Sequence, residues 1–161
     1  MRPANVALRF ALLLWIMISV PAFSQEGGPE KGQIELASVS AKVWGSYTIR
    51  HMQFPNEKWK FYVLVVPKHV RQGTLIEMAK DFYDKFPKTR ARFFSDEEHI
   101  QQYVDRDKYM NDSSGKVPEV EFPDSTWVKN HLLGNINNRS TKYNRQWMLE
   151  NRYGSRIELL P

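Results

Sequence analysis

The chain has 161 residues, a formal net charge of +5 and no cysteine. That length suits one domain whose core needs no covalent staples. The absence of Cys excludes disulfides, thiolate chemistry and a cysteine-borne lipid anchor. The charges of both signs are interspersed with no long basic run, which argues against nucleic-acid binding.

Arg2 and Arg9 precede or open an apolar run, Phe10 to Val20, broken only by Ser19. Pro21 ends it, and Ala22 and Ser24 supply small side chains at the two positions before a cut. This three-part pattern predicts a removable secretory signal over 1–24, cut after Ser24, with a cut after Ala22 as the alternative. Spanning a bilayer takes about 20 apolar residues. The run is shorter, so no stable membrane insertion is expected after cleavage. The expected location is periplasmic or extracellular, and the short leader with no Cys favours a bacterial periplasm. The segment holds no acid, so the mature domain is less positive by two charges.

Residues 25–33 are Gly-rich and polar with Pro29, and read as a flexible leader before a domain over 34–161. Val39, Ala41, Val43, Tyr47 and Ile49 alternate with polar residues, which predicts a half-buried strand that Trp44 interrupts. Phe54 to Glu57 reads as a turn. Trp59 to Val66 is rich in aromatic and β-branched residues, and its continuous apolar stretch predicts a central strand. Thr74 and Glu77 are spaced as a capping box before a helix over 75–86, with Leu75, Met78, Ala79, Phe82, Tyr83 and Phe86 as its apolar stripe. Pro87 stops it. A short strand follows at 90–94, then a second capping box, Ser95 to Glu98, and a helix with Ile100, Tyr103 and Val104 on one side. The order strand, helix, strand predicts a parallel pair.

Residues 105–125 read as a long loop with a short extended piece at 117–122. Val128, Leu132 and Ile136 predict a strand over 126–136. A polar turn over 137–145 and a hairpin of 146–150 and 156–160 around Tyr153-Gly154-Ser155 complete the chain. The expected fold is α+β: a two-layer sandwich with a mixed, mostly antiparallel sheet of about five to six strands and two helices on one face.

Chemistry is sparsely marked. No Ser sits in G-x-S-x-G or S-x-x-K. The four His, at 51, 69, 99 and 131, form no metal-ligand spacing, so no metal and no cofactor are expected. Asp96-Glu97-Glu98-His99 reads as acids at a helix start rather than a ligand cluster. Asn111 to Gly115 lacks the acids of a calcium loop. Glu119, Glu121 and Asp124 are carboxylates on the long loop. Asn111 and Asn138 each open an N-x-S triplet.

One set stands out. On the odd face of the strand expected at 126–136 lie Trp127, Lys129, His131 and Asn135, to which the next hairpin adds Tyr143, Arg145 and Trp147. Trp, Tyr and Arg are the residues enriched in binding hot spots. The expectation is an exported, non-enzymatic binding or accessory domain that contacts a protein or an anionic envelope polymer. The competing expectation is a small hydrolase built on His131 or His51 with a loop carboxylate, which needs a His within hydrogen-bond reach of an acid. Oligomeric state is not readable from the chain.

Overall fold

The computed structural model describes residues 27–50, 56, 58–105, 125–140 and 145–159, with only the backbone at Arg50, Ser125, Ser140 and Arg145. The expected signal segment, His51, most of the turn expected at 54–57, the 106–124 stretch and Tyr143 lie outside the described residues.

Seven strands form one sheet in sequence order: β1 Gly32–Leu36, β2 Val39–Arg50, β3 Lys58–Val65, β4 Arg90–Phe94, β5 Leu132–Ser140, β6 Arg145–Asn151 and β7 Arg156–Glu158. Among the described strands only β3 and β4 run parallel, joined by helix α1 (Gln72–Lys85). The other neighbours are antiparallel. The α+β class and the mixed, mostly antiparallel sheet are as the sequence implies. The strand count exceeds five to six because β1 adds a short edge strand that the sequence pattern does not mark.

Helix placement differs from the expectation. Phe93 and Phe94 are neighbours on β4 and therefore point to opposite faces. Phe93 packs with Leu75, Met78, Ala79 and Phe82 of α1. Phe94 packs with Ile100 and Tyr103 of α2 (Ile100–Asp105) and Trp127 of α3 (Ser125–His131). Helices therefore cover both faces. The continuous apolar run in β3 has this cause: Leu64 serves the α1 face, while Phe61, Val63 and Val65 serve the other.

The uniform alternation along β2 hides a reversal. Val43 pairs with Leu64 but Gly45 pairs with Val63, so Trp44 is the extra residue of a β-bulge. Ala41 and Val43 then face α1, whereas Tyr47 faces α2. Residues of one sequence parity serve two cores.

The ends of α1 also depart from the sequence pattern. The helix starts at Gln72, with Arg71 as N-cap and no side-chain cap. Thr74 and Glu77 thus lie inside it, and Glu77 pairs with Lys80 at 3.3 Å. Before α2 the capping donor bond goes to Asp96, whose Oδ1 accepts from the Glu98 N–H at 2.9 Å, not to Ser95. The segment 126–131 is helical rather than extended. Within 27–33, Pro29 is buried, a side chain at Gly28 would run into the Tyr62 ring, and β1 begins at Gly32.

Helix α1 is tied to the first hairpin as well as packed on the sheet. Ala37 and Ser38 turn the chain between β1 and β2 with φ of 48° and 62°. The Ala37 N–H donates to Asp81 at 2.6 Å, and Lys85 Nζ donates to the Glu35 carbonyl at 2.7 Å. Burial pushes the Asp81 carboxyl up, but the Lys85 bond, the Ala37 bond and the Lys85 charge outweigh it, so its pKa falls below the ordinary 3.8.

Candidate functional site

The aromatic and cationic set expected on one strand face is divided. Trp127, Lys129 and His131 stand on α3, not on a strand. Trp127 is 7% exposed and stacks on Phe94, with ring centres 5.4 Å apart. Trp147 is half-buried against Tyr83 of α1, at 5.8 Å. The two Trp therefore belong to different cores. Asn135 is half-buried in β5, where its amide approaches the Glu150 carbonyl at 3.4 Å. Lys129 is exposed. Tyr143 and the Arg145 side chain lie outside the described residues.

What the fold does bring together lies at one end of the sheet, where β3, β4 and β6 finish and β5 begins. A cleft of about 240 Å³ opens there, lined by Lys68, Val70, Gln72, Leu75, Leu133, Asn151, Arg152 and Tyr153. Three distant segments build it. Pro67 ends β3 and turns the chain, with the Val70 N–H donating to the Pro67 carbonyl at 3.1 Å. Helix α1 then starts with no acid in its first turn. At the far side β6 turns into β7 at Asn151–Ser155. Gly154 adopts φ of 81° there, a left-handed conformation that suits glycine.

Asn151 organises that turn. It is 6% exposed, and its Oδ1 accepts from the N–H groups of Tyr153 (3.0 Å) and Ser155 (2.9 Å). Its amide nitrogen is buried and has no hydrogen-bond partner among the described residues. Arg152 is fixed to β5 by its N–H, which donates to the Leu133 carbonyl at 3.0 Å, and its guanidinium lies 5.2 Å from the Tyr153 ring. Tyr153 is 73% exposed. The cleft thus has an apolar floor, two cationic side chains and an exposed aromatic lip.

Beside it lies a polar cluster. The Ser95 N–H donates to the His131 carbonyl at 2.9 Å, and Ser95 Oγ lies 3.3 Å from His131 Nδ1. Asp96 accepts from Trp127 Nε1 at 3.2 Å. Its pKa is lowered first by the Glu98 N–H, against some burial, and then by the Trp127 bond and the charges of His131 and Lys68. His99 meets the Trp127 ring edge-on at 5.5 Å and His131 lies over it at 5.4 Å. Asp96 is thus spent on the α2 turn and the indole, while His131 faces Ser95. Among the described residues no three His, Asp or Glu side chains converge on a point that could hold a metal ion. No described helix is long and apolar enough to cross a membrane.

Lys68, Gln72, Asn151, Arg152 and Tyr153 escape a reading by motif. One general cue does reach them: ligands in sheets with parallel pairs tend to sit outside the carboxyl ends of those strands, and Lys68 follows β3 there. No protein-family model, no curated protein and no solved structure matches the chain.

Proposed function

We propose that the protein is an exported, non-enzymatic binding domain that holds an anionic cell-envelope polymer at the cleft between the start of α1 and the β6–β7 turn. The observation that carries this reading is the composition of the cleft: Lys68 and Arg152 over a floor of Val70, Leu75 and Leu133, with Tyr153 open to solvent beside them. Cations attract and orient an acidic group, an apolar floor accepts carbon, and an exposed aromatic ring stacks on extended ligands. Export rests on the cationic, apolar and small-residue pattern of residues 1–24.

Co-sedimentation of the mature chain with insoluble envelope material tests it. Retention that falls about tenfold in the Lys68→Glu, Arg152→Glu double variant supports the reading. Retention that ignores both substitutions overturns it, and retention only by a protein fraction transfers the role to a protein partner.

The Ser95–His131 contact favours a second reading, a hydrolase. In that case Ser95→Ala abolishes turnover of envelope-derived esters, while the native chain shows turnover above buffer.

A further inference from the structure

We infer that the cleft is a receptor for one anionic head group, a phosphate or a carboxylate, seated on the free amino end of α1. This rests on the reading of the cleft as a binding site and names the chemistry it takes.

A helix start leaves its first backbone N–H groups without partners inside the helix, and the aligned peptide dipoles make that end positive. Most helices answer with a capping side chain or an early acid. Helix α1 is 14 residues long and has neither: Arg71 caps it without a side-chain bond, and no acid sits in the first turn. Gln72, the first helical residue, lines the cleft, and Gly73 beside it has open space where a side chain would stand. An anion can therefore come close to the backbone here.

The second observation is independent of the helix. Alternation along β6 puts Asn151 on the same face as Leu149, the face that α1 covers. Its oxygen is held by two turn N–H groups, so its amide orientation is fixed. The amide nitrogen is then left as a buried donor with no acceptor, in a residue that lines the cleft. Leaving such a donor unmet is costly, and an acceptor atom in the cleft meets it. Lys68 and Arg152, from two different segments, add charge to the lining. Asp96, an acid within reach of the Lys68 charge, is already engaged by the Glu98 N–H and the Trp127 indole. The donors are amides and cations only, so they select an acceptor-rich anion.

The test is a titration of the mature chain with inorganic phosphate and, separately, with acetate, followed by amide NMR. The expected result is a saturable shift at the backbone N–H groups of Gln72, Gly73 and Thr74 and at the Asn151 side-chain amide, at millimolar concentration. Phosphate saturating first assigns a phosphate site, and acetate first a carboxylate site. Phenyl phosphate or benzoate then binds about tenfold more tightly, because Val70 and Leu75 take the ring. Asn151→Asp keeps the acceptor that holds the turn but turns the free donor into an acceptor, and abolishes the shift. Lys68→Glu alters an exposed side chain, so the fold survives, and weakens binding about tenfold. Absence of a saturable shift at those amides with either anion overturns the proposal, as does an affinity unchanged in Lys68→Glu. Envelope retention that persists while both anions fail removes this inference alone. Anion binding without envelope retention removes the polymer and leaves the site.

Discussion

The two faces of the sheet are solved in different ways. Under α1 the core is aliphatic and phenyl: Leu36, Val43, Leu64, Met78, Phe82, Phe93, Ile136 and Leu149 pack together, each almost wholly buried. Under α2 and α3 it is an aromatic stack threaded with arginine. Tyr47 stacks on Phe61 at 5.4 Å, Tyr103 meets Tyr47 edge-on at 5.6 Å, and the Arg92 guanidinium lies 5.1 Å from Phe61 while donating to the Tyr103 hydroxyl. Arg90 lies 4.6 Å from the Trp59 ring and donates to Asn137 at 2.9 Å. Among the described residues the contrast goes with helix length. The 14 residues of α1 give an apolar stripe long enough to seal a face. On the other face the described six residues of α2 and seven of α3 present shorter stripes, and large rings and arginine stems contribute buried area beside them.

The largest expected effect probes that contrast directly. Phe82→Ala opens a cavity between α1 and the sheet and costs about 3–5 kcal/mol in denaturant unfolding. Arg90→Met keeps the stem of a side chain on the other face and loses only the guanidinium. Asn137 Oδ1 retains the Asn138 N–H, so the expected cost is about 1–2 kcal/mol. Equal losses from the two variants would break the distinction between the faces.

Acid separates them more finely. Asp81 ties α1 to the first hairpin, while Asp96 and Glu150 belong to the opposite side of the molecule. All three have pKa values lowered on folding. For Glu150, burial pushes upward but the bond from Arg139 and the charges of Arg139 and Arg156 prevail. A lowered carboxylate contributes stability above its ordinary pKa and loses it as pH falls through the folded value. The melting temperature should therefore drop below about pH 4 and not around neutrality. Asp81→Asn should cost about 0.5–1 kcal/mol at pH 7 and reduce the acid loss without removing it. A flat acid limb in that variant would place the whole effect on the α1 side.

The smallest effect concerns the hairpin that α1 clamps. Ser38 holds φ of 62°, where an L side chain is strained. Ser38→Gly should raise stability by about 0.5 kcal/mol in thermal melts. A loss instead would mean that the Asp81 bond fixes the turn strongly enough to make Ser38 optimal.

The sequence by itself determined the class of the fold. The β-rich run of β3, the apolar stripe of α1, the parallel β3–β4 pair and the last hairpin around Gly154 are local patterns. Each reports a period that burial imposes on consecutive residues. What it left open was which face each pattern serves. Period two reads alike on both sides when both are apolar, and the single extra residue at Trp44 moves Tyr47 from one core to the other. Val128, Leu132 and Ile136 lie four apart, a spacing that fits a helix as well as alternation fits a strand. The structure takes the first for 125–131 and the second from Leu132 onward. The cleft was beyond local reading for a related reason. Lys68 and Gln72 come from the β3–α1 connection, Leu133 from the start of β5 and Asn151 from the end of β6, and none of these stretches carries a motif that sets it apart. Only the sheet order, which sets the ends of β3, β4 and β6 beside the start of α1, makes one place of them.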